Sequence, residues 1–266
     1  MWRCWLSLCL VLCGLPSAAQ AQQSDGDVEA LDTGIAPVGI APPVIDDVES
    51  AFARIQVRGE HLTVRANGLI PKPRYRVSLR NLFGLWNHFQ GIQRPQQSNY
   101  LVVSGSNPRS SRGELFVIRN DESGAGEVVA NIDVDPVMWH AGGLSMLGSI
   151  LAVPLHGGSP LHAKVVFYDL ATPEQPRKLP IEISRPTRKA SATAFTRLTN
   201  GHYLVAVASA FDGLPRRIDF YLSRTQALED GFAPGPVTWR VSEVQSRPGQ
   251  DRTFSYFQTI NFVKSG

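Results

Sequence analysis

An all-β fold is what this sequence predicts, and three observations carry that reading. From Phe52 onward, short apolar runs rich in Val, Ile, Tyr and Phe alternate with clusters of Gly, Pro, Asn and Ser. That is the texture of strands punctuated by turns. The runs return in one fixed order at a spacing of about fifty residues. The stretch WNHFQGI, residues 86–92, comes back as MWHAGGL, residues 138–144, with His140 lying 52 positions after His88.

Each unit holds four strand types. The first type is NHFQGI, then WHAGGL, ASATAF and, near the C-terminus, SYFQTI. The second is NYLVVSGS, SILAVPLH and HYLVAVAS, which superpose on Leu101, Leu151 and Leu204 in steps of 50 and 53. The third is ELFVIRN, VVFYDLA and IDFYLSR, superposing on Phe116, Phe167 and Phe220 in steps of 51 and 53. EVVANIDV, RKLPIEIS and VTWRVSEV make the fourth. Four strands in about fifty residues is the size and content of one propeller blade.

From Phe52 to its end the chain resembles a β-propeller of the secreted bacterial kind. The shared pattern is strand texture: no Trp-Asp dipeptide closes a strand and no kelch-type glycine pair appears, so no subfamily follows. A β-sandwich is the competing fold, but it has no reason to repeat four strand types in one order. Three whole blades run from about Trp86 to Val244, and FSYFQTINFV begins another. Before Trp86, FARIQVR, HLTVRA and RYRVSLR fall on the second, third and fourth types. Two readings stay open: a closed ring of four blades completed by the C-terminal strand, or part of a six- or seven-bladed ring.

Ahead of residue 52 the chain reads as an address and an arm. Residues 1–21 carry one cation at Arg3, an apolar run from Trp5 to Leu15 and an A-x-A pattern at Ala19 and Ala21, the make-up of a secretory signal peptide cut after Ala21. A lipoprotein anchor on Cys13 would want a small residue before it, where Leu12 stands. Residues 22–51 are first polar and then rich in Pro and Gly, with a doubled GIAP, and suit an extended arm. A short helical turn over Ile45 to Phe52, started by Asp46 or Asp47, is expected there. The propeller takes residues 52–266.

Composition bounds the function. Cleavage removes Cys4, Cys9 and Cys13, all the cysteines present. The mature chain is thus expected in the periplasm or outside the cell with no disulfides, no thiolate metal site and no cysteine nucleophile. With 26 basic against 23 acidic side chains and no Lys/Arg run, no nucleic-acid partner is expected. No segment after the leader is long and apolar enough to span a bilayer.

The repeat also places a candidate site. In a propeller the first strand of each blade lines the axis, and its side chains alternate between two faces. His88, His140, Ser191 and Tyr256 form one row, and Gln90, Gly142, Thr193 and Gln258 the next on the same face. The opposite face carries Phe89, Ala141, Ala192 and Phe257, then Gly91, Gly143, Ala194 and Thr259. A polar ring converging on an axis is a natural ligand site, so His88, Gln90, His140, Ser191, Thr193, Tyr256 and Gln258 are the expected ligand contacts. No metal or other cofactor is expected, because serine and tyrosine at the remaining first-row positions are poor zinc ligands.

Two functions fit. The first is a binding scaffold for a small molecule or protein partner at the channel mouth and loops. The alternative is a channel-site hydrolase or lyase with His88 and His140 as acid and base, and Gln90, Gln258 and Tyr256 orienting the substrate. The ring positions hold no paired carboxylate, and no G-x-S-x-G elbow occurs anywhere in the chain, which favours the scaffold. His156-Gly157-Gly158-Ser159 is read as a hairpin turn, and the acidic stretch from Asp121 to Glu127 as a turn lacking the alternating ligands of a calcium loop.

Overall fold

A computed structural model describes residues 88–107, 112–120, 125–209, 216–240 and 257–265, apart from 97 and 158, and short pieces at 9–11, 44–45, 47, 50, 53–54 and 63–65. The expected cleavage site, the doubled GIAP, RYRVSLR, Asp121 to Gly124 and Tyr256 lie outside the described residues.

Three antiparallel meanders of four strands follow one another. Blade 1 is β4 (His88–Gln93), β5 (Tyr100–Asn107), β6 (Arg112–Asn120) and β7 (Ala125–Asp135). In blade 2 the first-strand position is shared by β8 (His140–Ala141) and β9 (Ser145–Leu147), followed by β10 (Ile150–Gly157), β11 (Ser159–Asp169) and β12 (Arg177–Arg185). Blade 3 is β13 (Ala192–Arg197), β14 (Tyr203–Ala208), β15 (Arg217–Ser223) and β16 (Phe232–Arg240). Then β17 (Ile260–Phe262) takes the first-strand place of a further unit, and β18 (Lys264–Ser265) follows. This order, with the first strands meeting one another, is that of a propeller of four-stranded antiparallel blades. It is not the pair of facing sheets of the competing sandwich.

The N-terminal pieces attach by edge pairing. β1 (Cys9–Val11) runs parallel to β17, β2 (Val44–Ile45) parallel to β18, and β3 (Thr63–Arg65) parallel to β7. HLTVRA therefore extends the outer edge of blade 1 instead of standing third in a blade of its own. The outermost strand offers unpaired N–H and C=O groups, and a parallel neighbour satisfies them as an antiparallel one does. Asp47 caps a helical turn: its carboxylate accepts the Ser50 N–H at 2.9 Å, and Arg54 N–H reaches the Ser50 carbonyl at 3.3 Å.

Burial follows strand position. All eight residues of β10, ILAVPLHG, are buried, because blades flank it on both faces. The outermost strand β12 alternates exposed and buried residues. The core is divided among the seams between blades. Val102, Leu115 and Val117 of blade 1 meet Leu151, Val153 and Leu155 of blade 2. Ala152, Val165 and Phe167 of blade 2 meet Phe195, Val205 and Val207 of blade 3. Ala194, Ala206 and Ile218 meet Phe257 and Ile260. Phe167 is fully buried, edge-on to Phe195 at 5.6 Å and stacked on Phe232 at 5.3 Å. Burying one such ring contributes about 2–3 kcal/mol.

Polar clasps close the same seams. Asp135, at the end of the fourth strand of blade 1, takes Lys164 Nζ of blade 2 at 2.7 Å. Arg185, at the matching place in blade 2, pairs with Asp219 of blade 3, which also holds Arg217 Nε at 2.8 Å and the Thr238 hydroxyl at 3.1 Å. The polarity is swapped but the geometry repeats: a fourth-strand end reaches the third strand of the next blade. Burial pushes the Asp135 carboxyl up, yet Lys164 and the N–H groups of Met138 and Val137 outweigh it, and the net shift is downward.

The first strands touch backbone to backbone. Gly143 N–H donates to the Ser191 carbonyl at 2.7 Å, and Thr193 N–H returns to the Gly143 carbonyl at 3.0 Å. A Cβ on Gly142 would sit 2.0 Å from the Ser191 oxygen, and one on Gly143 1.9 Å from the Gln258 oxygen. A Cβ on Gly91 would lie 2.6 Å from Leu144 N. Only glycine permits this approach. Gly231 differs: its φ is +73° but an added Cβ would meet open space.

Gly143→Ala is therefore expected to cost about 3 kcal/mol or more, against about 1 kcal/mol for Gly231→Ala, in denaturant unfolding of the two variants. Because the folded pKa of Asp135 lies below its unfolded value of about 3.9, its contribution to stability is present above that pH and is lost as pH falls through the folded value. Asp135→Asn should accordingly flatten the fall in unfolding midpoint below about pH 4.

Candidate functional site

The backbone register assembles a row of polar residues across the seam between blades 1 and 2. His88 on β4 is the register partner of Ser106 on β5. Ser106 is the partner of His140 on β8, and His140 is the partner of His156 on β10. The two-residue strand β8 is thus wedged between the second strands of successive blades. Four consecutive cross-strand positions read His, Ser, His, His.

Side chains fix the middle of that row. Ser106 Oγ lies 3.1 Å from His140 Nδ1. The His140 and His156 rings stand 4.2 Å apart, tilted by 40°. His156 Nδ1 is 2.6 Å from the carbonyl oxygen of Ala190. A carbonyl only accepts, so this nitrogen carries the proton and Nε2 has the lone pair in the neutral ring. Trp139 packs edge-on against His140 at 5.5 Å. Ser106 is fully buried and His156 is 8% exposed, while His140 is half-buried and gives the row its access to solvent.

The local sequence explains the placement. A bulge falls between His156 and Gly157, where φ is +150° and an added Cβ would lie 2.8 Å from the Trp139 indole. A side chain there would collide with Trp139, so the turn after His156 takes glycine at 157 because of packing. Ser106, His156 and Ser209 stand five positions after Leu101, Leu151 and Leu204. Each is the end of a second strand. Ser106 reaches His140 and His156 reaches Ala190, so a blade's second strand is tied to the start of the next blade's first strand.

The remaining expected contacts are distributed differently. Thr193 is fully buried, with its hydroxyl 3.3 Å from the Gly143 carbonyl and 3.4 Å from that of Ala152. Ser191 donates its hydroxyl to the Ala208 carbonyl at 3.1 Å. These two residues hold backbone at the axis. Gln90 is half-buried and precedes a register shift in β4, and Gln258 is exposed. Between the blades Ser104 Oγ donates to the Gly142 carbonyl at 2.6 Å, and Gln93 Nε2 to that of Leu144 at 2.8 Å. His156 is the residue that spacing of first strands alone does not find. Its signal is the alignment with Ser106 at the end of the second-strand repeat.

Among the described residues no group of three or more His, Cys, Asp or Glu side chains gathers, and no helix is long and apolar enough to cross a membrane.

No protein-family model and no curated protein matches the chain. Among solved structures it is similar to an endo-arabinase from Bacteroides thetaiotaomicron, at 11% identity and TM-score 0.40 over 55% of this chain and 60% of that one. It is similar to a Penicillium chrysogenum α-L-arabinanase complexed with arabinobiose, at 8% identity and TM-score 0.39 over 59% and 48% of the two chains. A third is a hypothetical selenium-binding protein from Sulfolobus tokodaii, at 11% identity and TM-score 0.37 over 57% and 40%. The chain spans 40–60% of the length of these structures.

Thr193→Val removes a hydroxyl that bonds only backbone carbonyls in the described contacts. It should cost about 1 kcal/mol in denaturant unfolding.

Proposed function

We propose that this protein is a secreted propeller scaffold that binds a small molecule or protein partner at the end of the blades where His88, Ser106, His140 and His156 line up. The observation that carries the reading is the oriented pair of imidazoles: His140 and His156 are each tied through Nδ1 to an oxygen of a neighbouring strand, beside the Trp139 ring. Such groups are preorganised donors and acceptors on a rigid scaffold, and a half-buried His140 opens them to solvent. The leader-like first 21 residues and the confinement of every cysteine to them support export to the periplasm or beyond.

The hydrolase or lyase reading draws on the Ser106–His140 contact, which has the atoms of a nucleophile and its base. Ser106 is fully buried. That weighs toward binding without turnover.

A panel of lactones, esters and polysaccharides separates the two, with binding followed by calorimetry and turnover by product release. Binding by at least one compound with no product, weakened at least about tenfold in His140→Ala, is the expected result. Turnover abolished by both His88→Ala and His140→Ala would replace the scaffold with an enzyme. N-terminal sequencing of the exported protein should begin at Gln22.

A further inference from the structure

The two ends of the blades differ in charge. In a four-stranded meander the first and third strands begin, and the second and fourth end, on one side of the ring, so successive connections open at alternate ends. Those at the His140 end, 107–112, 135–140, 157–159, 185–192, 208–217 and 240–260, hold ten Lys or Arg against four Asp or Glu. Those at the opposite end, 93–100, 120–125, 147–150, 169–177, 197–203 and 223–232, hold four against six. Arg112 and Arg185 are matched by Asp133 and Asp219 from within the strands, which leaves eight cations to four acids at the His140 end. Any further pairing removes one charge of each sign, so the excess stands whichever side chains bond to one another.

An apolar knuckle stands at the same end. Pro136 and Val137, between β7 and β8, are exposed, and Val137 at 66% exceeds Ile92 and Val237, the other exposed large apolar side chains among the described residues. Asp135 holds the knuckle stiff: it accepts the Val137 and Met138 N–H groups at 2.9 and 2.8 Å and takes Lys164 Nζ with its other oxygen. The knuckle also lies near the basic connection 185–192, because Trp139 packs on His140, His140 on His156, and His156 on the Ala190 carbonyl next to Lys189. From this pairing of an exposed apolar tip with an excess of positive charge, we propose that the His140 end docks on the surface of an anionic lipid bilayer. Val137 enters the headgroup layer and the cations lie against the phosphates. A protein interface is commonly centred on a dry patch of large apolar and aromatic side chains. Here one aliphatic side chain protrudes and the charge is spread over the connections of three blades, which fits a charged planar surface. The inference goes beyond the ligand reading and does not need it.

The experiment uses the exported protein beginning at Gln22, so that the apolar leader cannot itself insert. It is sedimented with vesicles of phosphatidylcholine alone and of equal parts phosphatidylcholine and phosphatidylglycerol. Binding to the mixed vesicles and none to phosphatidylcholine alone is expected. That binding should be lost between about 0.1 M and about 1 M salt, as the screening length shrinks from about 10 Å to about 3 Å. Val137→Ser should weaken mixed-vesicle binding about fivefold or more, and Arg188→Gln combined with Lys189→Gln about tenfold or more, with unchanged circular dichroism. Arg224→Gln, exposed at the opposite end, should leave it unchanged. Should the double variant fail to fold, Val137→Ser and the salt series carry the test. Equal binding to both vesicle types, no binding to either, or full binding by Val137→Ser overturns the proposal. So does soluble polyglutamate binding as tightly as the mixed vesicles, which would make the partner an acidic chain instead of a bilayer.

Discussion

The close approach of first strands at the axis is the constraint on which the rest of the molecule depends. Gly142 and Gly143 lie so near the Ser191 and Gln258 carbonyls that a single added carbon would overlap them. Because these backbones touch, Gly143 donates to the Ser191 carbonyl and accepts from the Thr193 N–H across the blades, and the sheets fan outward from a fixed origin. The side-chain volume available in each seam follows from that angle. Large residues such as Leu115, Leu151, Phe167 and Phe195 fill it away from the axis, and alanines and glycines occupy it near the axis.

A second regularity follows. At both seams among blades 1 to 3, polar groups cross from one blade to the next: Ser104 to Gly142, Ser106 to His140, His156 to Ala190, Asp135 to Lys164 and Arg185 to Asp219. Buried apolar faces supply most of the attraction between sheets but slide easily on one another. Directional bonds at the edges fix their register. The candidate site is an elaboration of this device. Where blade 1 uses serine at the end of its second strand, blade 2 uses histidine, and the clasp then presents a second imidazole next to His140. The candidate site lies on a seam whose geometry the fold holds in place.

Much of the architecture was legible in residues 86–240. The steps between Leu101, Leu151 and Leu204, and between Phe116, Phe167 and Phe220, placed the second and third strands of each blade correctly, because period-two patterns and turn residues are local properties. HLTVRA was not legible in the same way. A short β-prone segment records its propensity, while its partner and direction depend on which edge is open, here that of β7.

For the site, sequence by itself determined that His88 and His140 are equivalent positions, that Gly91 and Gly143 stand three residues after each, and that every cysteine falls in the first 13 residues. Tertiary structure decided which neighbours share the row. Thr193, chemically suited to a ligand, turned to backbone carbonyls, whereas His156, which reads as part of a turn, came to lie against His140. The reason is that a repeat aligns a residue only with its own copies in other blades. Contact between a first strand and the second strands on either side of it depends on how far each blade is rotated about the axis, and that rotation is set by packing across the seams.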